Sequence, residues 1–337
     1  MQLQHKPEAI PKIAVVVTAY DRREFVLEAL ESVLNQNIDR NEFEIILVKN
    51  FADEGIDSFA NSNGVRLVHS DEVELGKMAL RGISCSSAEI VSLMDDDDIF
   101  HRSKLDIVLE VMSNSAICFL HNEYNQFTDS LPSTDSYSAG TGMQKQLRLD
   151  ELSILYLLRI IRAGGTSNSS SVTFRREILE GYEWVLEKSE WGPSFTLFSL
   201  ALVSGGYVCL DDRKLTYVRI HESLSNPTGN SNRRRDIKAS NFSKSINTLH
   251  ALLSICDNKI LRSVLKYEES EAILRALLYA DGIDNTLIKE KYSSIFNLLS
   301  VPIQYRPVFR SALAACSLVW RFLPIGARLR ITASGFF

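Results

Sequence analysis

The chain has 337 residues, is 45% hydrophobic and carries a formal net charge of -5, which allows one large or two ordinary cored domains and argues against a general nucleic-acid binder, a class with a basic balance. Its five cysteines (Cys85, Cys118, Cys209, Cys256 and Cys316) form no CxxC pair, so reduced thiols are expected rather than a disulfide framework or a zinc site. No run approaches the roughly 20 apolar residues of a membrane-spanning helix, and the opening MQLQHKPEAIPK lacks the apolar core of a signal peptide.

IAVVVT (13–18) is a short, Val-rich apolar run, as for a strand buried on both faces. DRREFVLEALESVLNQ follows with Phe25, Ala29, Val33 and Val26, Leu30, Leu34 at helical spacing and Asp21 as the expected N-cap. FEIILVK (43–49) and VRLVH (65–69) read as the second and third strands, and GKMALRGISCSS as a helix leading to a fourth strand, EIVSLM. RSKLDIVLEVM is the next helix and AICFLH (116–121) the next strand. Strand and helix alternating in this way predict a mostly parallel sheet with helices on both faces, whose ligands bind beyond the carboxyl ends of the strands. Residues 122 to 146 are polar and read as a long loop. A helix near 150–162, a strand SSVTFR (170–175), a helix from Arg176 and a hairpin through YVCLDDRKLTYVRIH come next. TGNSNRRRD (228–236) reads as a solvated linker, placing a boundary near residue 230, and the remainder to Phe337 as helical.

The chemistry concentrates in SLMDDDDIF (92–100), where four carboxylates follow an apolar strand. Like charges packed together cost free energy unless something positive faces them. The bland reading is a solvated turn; the functional one is a hard-cation site, since Mg²⁺ and Mn²⁺ take oxygen ligands. Asp95 and Asp97, two apart, point the same way in extended chain, leaving Asp96 and Asp98 as supporting or ribose contacts.

TAYDR (18–22), SVLNQ (32–36), FEIILVKN and AEIVSLMDDDDIF, in that order, resemble the GT-A fold of the family 2 glycosyltransferases over roughly residues 13 to 224. The resemblance implies a nucleotide site in which Thr18, Ala19 and Tyr20 lie against the base with Arg22 beside them. It places Asp95 at the ribose and donor sugar, Asp96 nearby, and Asp97 on the metal bridging the diphosphate. SNSSSVTFRREIL is similar to the family's acceptor-side strand, and YVCLDDRKLTYVRIHES to a segment ending in Arg-x-His, which would make His221 a metal or diphosphate ligand; for a lone His the plain alternative is a surface or satisfied core residue. Where many members carry Asp-Asp-Gly-Ser, VKNFADE (48–54) puts Lys49 or Asn50 at the uracil-reading position, with Asp53 just beyond. The Ala-Arg-Asn triplet is absent, leaving Lys77 and Arg81 as alternative diphosphate partners against the default of a solvated basic face. The family's catalytic Asp falls on Ser194, so Glu190 is the candidate base, with Asp98 kept as a second catalytic carboxylate.

The expected protein is therefore a metal-dependent inverting glycosyltransferase using Mg²⁺ or Mn²⁺. It has a GT-A domain (1–230) and a helical C-terminal region (231–337), and would move a sugar from a nucleoside-diphosphate sugar to an acceptor glycan of lipid-linked type, with no nucleic acid involved. A cytoplasmic location is expected, with contact to the inner face of the cell membrane through FRSALAACSLVWRFLPIGARLRITASGFF and NRRRD. Two rivals stand beside it. SLMDDDDIF loosely fits the nucleophile motif of a haloacid-dehalogenase-type phosphatase, although three strands precede it here, and Ser194 at the base position suits a non-catalytic sugar-nucleotide binder.

Overall fold

A computed structural model describes residues 10–128, 130–133, 141–190, 192–221 and 231–279. The described chain divides into two compact units, residues 1–151 with 160–220 and residues 152–159 with 221–337.

The first unit is built on a sheet whose opening half follows the expected alternation. β1 (Ile13–Ala19), β2 (Phe43–Lys49), β3 (Arg66–His69) and β4 (Ile90–Asp95) lie in the order β3-β2-β1-β4, all parallel. The Val-rich run of β1 is continuous because the strand is covered on both faces: Ile13 through Val17 are fully buried. α1 (Val26–Leu34) turns Val26, Ala29, Leu30 and Val33 into that core. α2 (Glu54–Ser62) contributes Ile56 and Ala60. α3 (Leu75–Ser84) lies directly on β1 and β2, and a Cβ added at Gly82 would stand 2.5 Å from Val16 Cγ1 and 2.8 Å from Val48 Cγ2. The register sets Thr18 level with Val48 on one side and Asp95 on the other, so three strands end at one height.

Beyond β4 the sheet becomes mixed. β5 (Ile99–Phe100) and α4 (Lys104–Met112) lead into β6 (Ile117–Phe127), followed by β7 (Gln144–Leu147), α5 (Ile154–Arg162), β8 (Val172–Arg175), α6 (Glu183–Glu187), α7 (Pro193–Ser204) and β9 (Tyr207–Arg219). The sheet continues β4-β8-β6-β9-β5, with β7 on β9. β6 and β9 are parallel, and the other pairings in this half are antiparallel.

Three sequence expectations need correction here. The hairpin read in YVCLDDRKLTYVRIH is one strand of 13 residues. Its polar centre is a bulge, since Asn122 pairs with Asp211 and Glu123 with Lys214, which leaves Asp212 and Arg213 outside the ladder. Asp211, buried to 2%, is held there by Arg213. The loop expected over 122–146 is partly sheet, because β6 runs on to Phe127 and β7 begins at Gln144. The helix expected from Arg176 is a single 3₁₀ turn, Arg176–Leu179.

In the second unit, α8 (Ser231–Ile255) and α9 (Lys259–Tyr279) pack on each other through Leu249, Leu252, Leu261, Val264, Leu265 and Ile273. Asn258 caps α9 by accepting the Ile260 N–H at 2.9 Å, and Arg262 donates to the Leu253 and Cys256 carbonyls at the end of α8. The stretch from Ser231, expected as linker, is helix, and its arginines are good helix formers with no Gly or Pro among them. Residues 222–230 and the segment 309–337 named for membrane contact lie outside the described residues. Among the described residues no helix is long and apolar enough to cross a membrane.

The close seating of α3 generates a stability prediction. Gly82→Ala should cost about 1–3 kcal/mol through overpacking against Val16 and Val48. Urea unfolding followed by circular dichroism reads it as a lowered midpoint at unchanged slope.

Candidate functional site

β4 delivers its carboxylates to the level where β1 and β2 also end, because the register fixes Asp95 opposite Thr18. Asp96 and Asp97 then turn the chain toward β5, and the residues alternate. Asp96 and Asp98 are 3% and 2% exposed, while Asp95 and Asp97 are half-buried. Arg22, two residues past Tyr20, reaches across from the β1 end. Its guanidinium pairs with the Asp96 carboxylate and stands 2.7 Å from Asp97 Oδ2.

A second arginine holds the same turn from behind. Arg219, at the end of β9, donates its backbone N–H to Asp98 Oδ1 at 3.1 Å and its Nε–H to the Asp97 carbonyl at 3.1 Å. Ser170 completes the grip, since its Oγ accepts the Asp95 N–H at 2.9 Å and donates to the Asp98 carboxylate. Beneath lies Lys104, fully buried, with Nζ donating to the Ser170 carbonyl and to Thr216 Oγ1 at 3.0 Å and sitting 3.7 Å from the Phe100 ring centre.

The electrostatics follow from that packing. Burial, reinforced by Asp97 and Asp96, pushes the Asp95 carboxyl up to about 7 against the pull of Arg22. Burial also lifts Asp96 to about 6, outweighing its hydrogen bond with Arg22. Asp98 is raised well above the carboxylate range by burial and then by Asp97 and Asp95, and burial holds Lys104 well below its ordinary value.

The β1–β2 corner forms the other wall. Asp21 takes a left-handed conformation, φ 55°, uncommon for a residue with a Cβ. Asn50 compensates through two 2.8 Å hydrogen bonds: the Asp21 N–H donates to Asn50 Oδ1, and Asn50 Nδ2 donates to Asp21 Oδ1. The expected N-cap role of Asp21 is thereby corrected. Its carboxylate is taken by Asn50, and α1 starts at Val26 after Phe25 with no side-chain cap. Thr18, Ala19, Tyr20, Arg22, Asn50 and Asp95 to Asp98 are thus brought to one edge.

Other named residues are engaged elsewhere. Lys49, 5% exposed, donates to the Phe51 carbonyl and pairs with Asp57 at 2.8 Å. Asp53 caps α2 by accepting the Ile56 N–H at 3.0 Å. Lys77 pairs with Glu72 and Glu74 on the surface, and Arg81 Nε donates to the His69 carbonyl at 2.7 Å. Asp98, kept from the sequence as a catalytic carboxylate, is buried and accepts hydrogen bonds from the Arg219 N–H and from Ser170.

Glu190 is half-buried between α6 and α7, next to Ser189, whose carbonyl accepts the Gly76 N–H at 2.9 Å. Ser194 is 8% exposed in the first turn of α7. His221 is the first residue of the second unit's main segment. Sequence reasoning missed Arg219, Ser170 and Lys104. RIH was singled out for its His, SNSSS has no periodicity, and Lys104 looked like any first-turn helix lysine.

The donor set fits a hard divalent cation in kind, since Asp95 and Asp97 offer half-buried carboxylate oxygens beside the buried Asp96 and Asp98. Among the described residues no group of three or more His, Cys, Asp or Glu side chains is arranged to enclose a metal by itself.

Residues 14–167 match the model of Glycosyl transferase family 2. An uncharacterized glycosyltransferase of Rickettsia bellii is 26% identical over 134 residues, 39% of this chain and 19% of that protein. The putative glycosyltransferase EpsH of Bacillus subtilis is 24% identical over 136 residues, 39% of each. The chain thus spans about a fifth of the length of the Rickettsia relative. Among solved structures, Staphylococcus aureus TarS 1–349 in complex with UDP-GlcNAc superposes with a TM-score of 0.58 at 13% identity, covering 96% of this chain and 91% of that one. The mannosyltransferase PcManGT of Pyrobaculum calidifontis, in complex with GDP-Man and Mn²⁺, gives 0.50 at 14% identity, covering 97% and 87%. These likenesses bear out the GT-A fold read from TAYDR to RIHES, and nothing in them supports the phosphatase alternative.

The raised Asp95 generates a pH prediction. An unfolded Asp titrates near ~3.9, so the stability tied to this proton is present below that value and lost as pH rises through about 7. In metal-free buffer, Asp95→Asn should therefore raise the Tm most above pH 7, with the gain shrinking steadily between about pH 7 and pH 4. A gain independent of pH would rule out the buried charge as its source.

Proposed function

Because residues 14–167 carry a Glycosyl transferase family 2 domain, we propose that the protein transfers a sugar from a nucleoside-diphosphate sugar to an acceptor hydroxyl, with inversion and with Mg²⁺ or Mn²⁺. The acceptor class is a glycan, either lipid-linked or a polysaccharide precursor. The observation that carries the proposal is the joining of the TAYDR corner to the acidic turn through Arg22, Asp96 and Asp97 at the carboxyl edge of the sheet.

In this reading Thr18, Ala19 and Tyr20 line the nucleotide, with Asn50 and Asp21 closing the corner beside the base. Lys49 is committed to Asp57 and Phe51, so base recognition falls to Asn50 and Asp21. Asp95 faces the ribose and donor sugar. Asp97, with Asp95, is the group that would hold the cation, which when bound supplies Lewis-acid neutralisation of charge on the diphosphate oxygens. Arg22, 28% exposed at its side chain, adds fixed positive charge beside the leaving diphosphate. Asp98 and Asp96 hold the turn. Glu190 takes the acceptor proton as the sugar's anomeric carbon is attacked from the opposite side.

The test is release of nucleoside diphosphate from UDP-, GDP- and TDP-sugars with Mn²⁺ or Mg²⁺ present. Asp97→Ala should lower turnover by at least about 100-fold, in line with loss of a metal-binding carboxylate; turnover at the wild-type level would remove the metal role. Glu190→Gln should lower kcat by about 10²–10⁴ while calorimetric donor binding persists. Wild-type protein that binds donor and metal but never turns over would instead make the chain a sugar-nucleotide binder.

A further inference from the structure

Arg219 is 8% exposed, and its contacts radiate to three elements. The guanidinium packs against two aromatic rings, 4.2 Å from the Phe25 centre at the head of α1 and 4.5 Å from the Phe127 centre at the end of β6. One terminal nitrogen pairs with Glu28 on α1, Nε donates to the Asp97 carbonyl, and the backbone N–H donates to Asp98. A guanidinium packed against two rings and hydrogen-bonded at its edge cannot rotate without breaking several contacts at once. It is spent on the backbone of one turn.

The Asp97 carbonyl and carboxylate belong to the same residue, so holding the first limits the directions open to the second to the few rotamers of a fixed backbone. We propose that Arg219 is a positioning residue of the acidic turn, holding Asp97 so that its carboxylate presents to the divalent cation while its own charge is absorbed by Glu28. The proposal rests on the metal-binding reading of Asp97 given above. It makes the turn's geometry depend on a residue over a hundred positions downstream, the last of β9.

The sign of the effect separates positioning from simple electrostatics. A positive charge near the quartet repels an incoming cation, so as a mere field Arg219 would weaken metal binding, and its loss would tighten it. As a positioning group it does the reverse. Lysine keeps the charge but supplies neither the planar fork nor the edge-on Nε–H.

The experiment is Mn²⁺ binding to the full chain, read from the EPR signal of free Mn²⁺ with and without UDP or GDP, alongside Tm in the absence of metal. Arg219→Lys should raise the Mn²⁺ Kd about tenfold, the lower end of what partners that orient metal ligands contribute. Excess Mn²⁺ should restore nucleotide binding to the variant. Phe127→Leu, which removes one ring from the guanidinium and leaves every charge in place, should raise the Kd about two- to threefold, and it keeps the idea testable if the lysine variant does not fold. An unchanged or lower Kd in either folded variant, including a fall in Tm with Mn²⁺ affinity intact, would overturn the proposal. Wild-type protein that takes up no Mn²⁺ even with nucleotide present would instead overturn the metal reading beneath it.

Discussion

Four carboxylates at the end of one buried strand set the energetic problem around which this structure is arranged. Each buried charge costs several kcal/mol unless it is met by an opposite charge or a proton. Two arginines from distant parts of the chain meet the charge, Arg22 at the side chains of Asp96 and Asp97 and Arg219 at the backbone of Asp97 and the carboxylate of Asp98. Burial nonetheless holds the carboxyls of Asp95, Asp96 and Asp98 above their ordinary range.

The surroundings are built to hold that edge still. Ser170 ties the first and last residues of the acidic run together. Lys104, buried without a carboxylate in direct contact, props up the Ser170 carbonyl and Thr216. On the other flank the left-handed Asp21 is locked to Asn50 across the β1–β2 corner. Strain of this kind persists where the surroundings over-determine it, and it collects at sites that must be preorganised.

The same logic explains why the second half of the sheet departs from the alternation of the first. β8, β6 and β9 run beside β4 with mixed direction, and their ends carry Ser170, Thr216 and Arg219 to the back of the acidic turn. Purely parallel neighbours linked by helices would have put helix, not strand ends, behind the carboxylates. The bulge at Asp212 and Arg213 lets β9 change register along β6 and still reach the turn with Arg219.

What could be read in the sequence was local and periodic. The buried strands IAVVVT, FEIILVK and EIVSLM, the apolar face of α1 and the acidic run itself declare their environments one element at a time, because burial on both faces forces continuous apolar runs and helix packing forces its own spacing. The order of those elements was enough to indicate the fold. What only the tertiary structure decided was which polar residues answer the carboxylates. Arg219, Ser170 and Lys104 lie 66 to 122 positions from the groups they serve, and Asp21 looked like a helix cap until Asn50 claimed it. Hydrogen bonds and ion pairs between strand ends carry no sequence period, so nothing along the chain foretells them; they exist only once the strands stand side by side.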